Sequence, residues 1–73
     1  MKYKEYMVSV SEEGTEYWYQ NDKLHREDGP AVEYNTGHTS YWLNSKCYPK
    51  SDYYKEIYKR GLITEAEMLL EMI

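Results

Sequence analysis

The sequence predicts an α+β fold: an antiparallel four-stranded β-meander followed by two short C-terminal helices. Three observations carry this expectation. Up to residue 48, aromatic and β-branched residues gather in short runs bounded by Asn, Gly and Pro, the pattern of strands and turns. One such run recurs 23 residues further on. After Pro49 the apolar residues change from alternation to i, i+3, i+4 spacing, the helical period. With 73 residues the chain makes a single domain, 1–73, with the meander over 1–48 and a helical hairpin over 49–73.

The first strand is expected at Tyr6-Met7-Val8-Ser9-Val10, where bulky and small residues alternate. Glu12-Glu13-Gly14 turns the chain into an aromatic second strand, Thr15 to Gln20. Asn21-Asp22 makes a tight turn, and His25 to Pro30 reads as a polar loop broken by Gly-Pro. Ala31-Val32-Glu33-Tyr34 is the third strand, Asn35-Thr36-Gly37 the next turn, and Thr39 to Leu43 the fourth strand, closed by Asn44-Ser45. Ser51 is placed to cap a helix, with Asp52 at its positive end and Tyr54, Ile57 and Tyr58 on one face. Gly61 suits the C-terminal cap, and Thr64 with Glu67 forms a capping box opening a last helix to Ile73. The apolar residues of that helix, Ala66, Met68, Leu69, Leu70, Met72 and Ile73, exceed one narrow stripe. Part of that surface is therefore expected either to pack on a second chain or to lie between the sheet and the first helix.

The repeat aligns without gaps. Gly14 to His25 matches Gly37 to Tyr48, with Gly, Asn and Lys coinciding and aromatics coinciding at two positions. The unit is a hairpin: glycine turn, aromatic strand, Asn-x-Lys turn, return. Asn21-Asp22-Lys23-Leu24-His25-Arg26-Glu27-Asp28-Gly29-Pro30-Ala31, within Tyr17 to Tyr34, resembles the repeat W-x-x-N-G-K-x-H-R-x-D-G-P-A of short bacteriophage and bacterial proteins, related in style to MORN repeats. The resemblance spans about residues 14–60, with one full and one truncated copy. Asp22 and Ser45 stand where the pattern has Gly, so these turns are expected to be strained or of a type other than I′. The resemblance implies a virus-encoded factor acting on a host component.

Composition narrows the chemistry. No apolar run approaches the roughly 18 residues of a membrane span, and the N-terminus lacks an apolar h-region, so neither a membrane anchor nor a signal peptide is expected. Cys47 is the single cysteine, which excludes an internal disulfide and, with two histidines at unsuitable spacing, predicts no metal site. The formal charge of -4 disfavours direct nucleic-acid binding. A host bacterial cytoplasmic location is expected. Ten Tyr and two Trp with no Phe let a chain of this size build a thin core and still present polar tips to water.

His25, Arg26, Glu27 and Asp28 are the densest reactive cluster. His25 as a base oriented by Asp28 is one reading; the preferred one is a structural turn in which Asp28 bonds backbone and Gly29-Pro30 shapes the loop. Cys47 replaces Leu24 of the first repeat and reads as an inert thiol. No phosphate loop, nucleophile elbow or paired-carboxylate set is visible, so no enzyme and no cofactor are expected. The expected site is an aromatic ladder: Tyr17, Trp18, Tyr19, Tyr41 and Trp42 as anchors with Arg26 in support, since Trp, Tyr and Arg dominate interface energetics. Tyr17, Tyr19 and Tyr41 are expected on the face opposite Trp18 and Trp42. The expected function is binding and steric blockade of a bacterial host protein, of the anti-CRISPR or anti-defence kind, with a homodimer as further partner. The alternative is a sponge for a nucleotide second messenger, with bases stacked on the aromatics and Lys23, Arg26 and Lys46 meeting phosphates.

Overall fold

The computed structural model describes residues 5–73. It is α+β, with six strands rather than four: β1 (Met7–Val10), β2 (Glu16–Gln20), β3 (Lys23–Leu24), β4 (Val32–Glu33), β5 (Thr39–Leu43) and β6 (Lys46–Tyr48). Helices α1 (Lys50–Lys59) and α2 (Glu65–Glu71) follow. The two extra strands are the returns after the Asn21 and Asn44 turns, each too short to stand out from turn residues in the sequence. All pairings are antiparallel, in the order β1-β2-β4-β5-β6, and β3 shares an edge of β2 with β4.

The 23-residue repeat is a structural repeat in which β1-β2-β3 corresponds to β4-β5-β6. Ser9 pairs with Tyr17 and Val10 with Glu16; at the same offset Val32 pairs with Ser40 and Glu33 with Thr39. Tyr19 pairs with Leu24, and Trp42 with Cys47. The turn bonds repeat too. Ser11 N–H donates to Thr15 O and Gly14 N–H to Ser11 O, both at 2.9 Å. Tyr34 N–H donates to His38 O at 2.8 Å and Gly37 N–H to Tyr34 O at 2.9 Å. Gly14 and Gly37 have φ of 90° and 93°.

The hairpin turns decide between the two expected outcomes. Asn21 and Asp22 have φ of 53° and 61°, and Asn44 and Ser45 have 50° and 67°. Positive φ at both central residues is what a type I′ turn demands, so the type is kept without glycine. The strain falls on Asp22 and Ser45, L-residues in the left-handed region.

At the helices, Pro49 occupies the N-cap, offering no side-chain bond, and Ser51 lies one residue inside the helix instead of capping it. Asp52 sits in the first turn as expected. Gly61 (φ 77°) ends α1 in a Schellman arrangement, with Gly61 N–H on Tyr58 O and Leu62 N–H on Ile57 O. Thr64 and Glu67 form both bonds of the capping box, at 3.0 and 3.2 Å, and the one donated by Thr64 N–H is the main cause that holds the exposed Glu67 carboxyl below its usual range. The last helix ends at Glu71, not Ile73, and buries no residue fully. The helical core joins Leu43 of β5 to Tyr53, Tyr54 and Ile57 of α1, with Tyr41, Tyr48, Leu62, Ile63 and Met68 around it. Tyr58, expected on the packed face, is 40% exposed, and Tyr53 takes the buried position.

Replacing Asp22 or Ser45 by Gly removes the left-handed cost at each turn. The expected gain is about 0.5–1 kcal/mol per turn after the entropic cost of Gly, read by thermal or chemical denaturation. Ser45→Val should move stability in the opposite direction.

Candidate functional site

The reactive cluster is the knot that joins the two repeats. His25 is only 3% exposed, and both ring nitrogens are engaged. Nδ1 accepts from Asn44 N–H at 2.9 Å, so the ring proton sits on Nε2 and is donated to Glu27 Oε2, also at 2.9 Å. The first repeat thus holds the second repeat's turn, aided by Ser45 N–H on Leu24 O. Asp28 does not face His25: it accepts from Arg26 Nε at 2.9 Å.

Arg26 lies over the Trp18 indole, its Cζ 3.7 Å from the ring centroid. Its Nη1 reaches Pro30 O at 3.2 Å and Glu33 Oε1 at 3.3 Å. A Cβ on Gly29 would meet the Arg26 Cζ at 3.2 Å, so a side chain there would crowd the guanidinium. Tyr6 packs edge-on against Trp18 and its hydroxyl accepts from Glu27 N–H at 3.0 Å. Among the described residues, Trp18 Nε1 is the buried side-chain polar atom left without a hydrogen-bond partner.

The loop is closed from the other side by Tyr53, which is fully buried. Its hydroxyl donates to Arg26 O and accepts from Gly29 N–H. Burial pushes the Tyr53 hydroxyl far above its ordinary value, and burial followed by the Tyr41 neighbour does the same for Tyr54.

Strand alternation now divides the predicted anchors between two faces. Trp18 corresponds to Tyr41 in the repeat and shares its face, which also holds Leu43. Tyr41 packs tilted against Tyr53 at 4.7 Å and edge-on against Tyr54 at 5.6 Å, so this face is covered by α1 and by Arg26. Trp42 corresponds to Tyr19. The face assignment expected from the sequence is therefore corrected: Tyr41 goes with Trp18, and Trp42 with Tyr17 and Tyr19. The reason is the repeat register, which places a Trp at different points of the pleat in the two copies.

On the second face Tyr17 and Ser40 flank Val32 in register, and Met7, Tyr19 and Leu24 form the adjacent row. The Trp42 indole is laid back over Ser40, donating to its Oγ at 2.8 Å. Tyr17, Tyr19 and Trp42 are half-buried, and no helix core residue is among their partners. These three rings form a broad amphipathic surface spanning β2 and β5. Sequence reasoning missed Tyr6 and Tyr53, whose only signal was their aromatic type.

A shallow groove of about 370 Å³ beside α1 mixes Lys46, Lys55 and Lys59 with Asp52 and Glu56 and exposes Cys47. Lys46 lies over the Tyr48 ring at 5.1 Å. Among the described residues, no group of His, Cys, Asp and Glu is arranged to hold a metal ion, and no helix is long and apolar enough to cross a membrane. No known protein family, curated protein or solved structure matches the chain.

Tyr53→Phe leaves Arg26 O and Gly29 N–H without their buried partner and should cost about 1–3 kcal/mol by chemical denaturation at neutral pH. Because folding raises the Tyr53 pKa, its contribution is full below about pH 10, the ordinary tyrosine value, and is lost as pH rises further. Alkaline titration of stability should therefore fall above that point, and less steeply in Tyr53→Phe.

Proposed function

We propose that this chain is a small phage-type protein that binds and sterically blocks a bacterial host protein, as an anti-CRISPR or other anti-defence inhibitor. The single observation that carries the binding half of this reading is the aromatic face of Tyr17, Tyr19 and Trp42. Three half-buried rings lie on one side of a sheet whose other side is committed to α1 and Arg26. Rings of this kind bring large contact area at low entropic cost, and their polar tips keep the free protein hydrated. The resemblance of the His25 to Ala31 segment to phage repeat proteins supports the origin and the class of target.

In this reading Tyr17, Tyr19 and Trp42 touch the partner. Trp18, Tyr41 and Arg26 act through them, by fixing the pleat and the loop on the far side. The site of action is the host cytoplasm. A nucleotide sponge fits less well: a phosphate clamp using Arg26 would have to break its bonds to Asp28, Pro30 and Glu33. The histidine-base reading would likewise have to free an imidazole whose two nitrogens are already bonded.

The test is affinity capture from bacterial lysate combined with a phage-plating assay on a defence-bearing host. Tyr19→Ala and Trp42→Ala should each weaken capture of the host partner by about 2 kcal/mol, roughly thirtyfold, and abolish protection. Leu70→Ala on α2 should do neither. Unchanged capture and protection in the aromatic variants would sink the proposal.

A further inference from the structure

The two ends of the repeat array are finished differently. At the C-terminal end, the position of a third copy's first strand is taken by α1. Tyr53 and Tyr54 lie 23 residues after Pro30 and Ala31, and they are buried against Tyr41 instead of extending the sheet. That end carries a helical cap on one face of the sheet.

The other end has no such cap among the described residues. β1 is the structural equivalent of β4, and β4 is paired on both edges, to β2 and to β5. Among the described residues, β1 is paired only to β2. Main-chain groups alternate along a strand, and Ser11 N–H points at Thr15 O, so Ser9 also faces β2. The N–H and C=O of Val8 and Val10 therefore point outward. Their counterparts at the internal junction are Ala31 and Glu33, and Ala31 O accepts from Trp18 N–H at 2.8 Å. The β1 edge thus presents the same main-chain template that joins the two repeats.

Nothing in β1 protects this edge. Met7-Val8-Ser9-Val10 has no charge, proline or bulge, and Met7, Val8 and Val10 are 75%, 45% and 61% exposed. We infer that β1 is a dimerisation strand, pairing antiparallel with β1 of a second copy of this chain about a two-fold axis at Ser9. Two arguments select that occupant. An antiparallel β1 pair is self-complementary, placing Val8 opposite Val10 of the second copy. No like charges meet within the pair, although each chain carries a net charge of -4. The contact continues the sheet across the axis and leaves Tyr17, Tyr19 and Trp42 open on one face of a doubled surface. This inference stands on the repeat geometry and does not depend on the proposed host partner.

The experiment is sedimentation of the full-length chain over a concentration series, paired with amide hydrogen exchange. Twice the 8.8 kDa chain mass is expected at high concentration. Val10→Pro removes one outward N–H without touching the β2 ladder, and should return the mass to that of a single chain while β2 amides stay protected. Leu70→Lys, on the exposed part of α2, should leave the dimer intact. Should Val10→Pro fail to fold, the wild-type protein decides. Val8 and Val10 amides protected at high concentration, with that protection lost on dilution, support the pairing. A single-chain mass at every concentration, a dimer with freely exchanging Val8 and Val10, a dimer abolished by Leu70→Lys, or open-ended polymers would each overturn it.

Discussion

The fold depends on one hydroxyl. Tyr53 of α1 reaches into the His25–Pro30 loop, donates to Arg26 O and accepts from Gly29 N–H. That loop carries polar main-chain groups across the centre of a small domain, where each one left without a partner is costly. Tyr53 satisfies two of them, Tyr6 a third at Glu27 N–H, and Trp42 O a fourth at Arg26 N–H. A helix far along the chain, an N-terminal tyrosine and the second repeat's central strand thus converge on one loop. A chain of 73 residues buries only about 60% of its unfolded surface, so it has few apolar contacts to spare for holding α1 in place by packing alone.

The same loop explains why its residue string is so specific. His25 bonds the next repeat's turn, Arg26 stacks on Trp18 and ties together Asp28 and Glu33, and Gly29 leaves room for the guanidinium. Each member serves the junction between repeats. Residue types that suggest acid–base chemistry in a list are here consumed by one another, and the free aromatic area lies on the opposite side of the sheet. Separation of the two sides follows from the pleat: Tyr17 and Tyr19 face away from Trp18, and Trp42 away from Tyr41.

Much of this was legible in the residues. The gapless match of Gly14–His25 to Gly37–Tyr48 shows the repeat, and the capping box and Gly61 mark the helix ends through local bonds that need no tertiary partner. The strands β3 and β6 are the returns of the hairpin unit, but at two and three residues of turn-like composition they do not stand out as separate strands until the hairpin closes. Ser51 does not cap α1 because the helix begins at Lys50, with Pro49 at the N-cap, and Ser51 falls inside the first turn. Tyr17 and Tyr19 lie opposite Trp18 as expected, but Tyr41 and Trp42 exchange faces, because the two copies place their tryptophans one residue apart in register and a shift of one residue reverses the side of the sheet.

The sequence by itself determined the α+β class, the 23-residue hairpin unit, the turns at Asn21 and Asn44, and the two helices, because each follows from local preference and short-range spacing. Only the tertiary structure decided which rings are covered and which are open, that His25 faces Glu27 and Asn44 rather than Asp28, and that Tyr53 is the member of α1 that reaches the loop. Most of those outcomes depend on contacts between separate elements of the chain, such as His25 with Asn44 and Tyr53 with Arg26. Their partners are chosen by the register of paired strands and by the seat of α1 on the sheet, which no local pattern encodes.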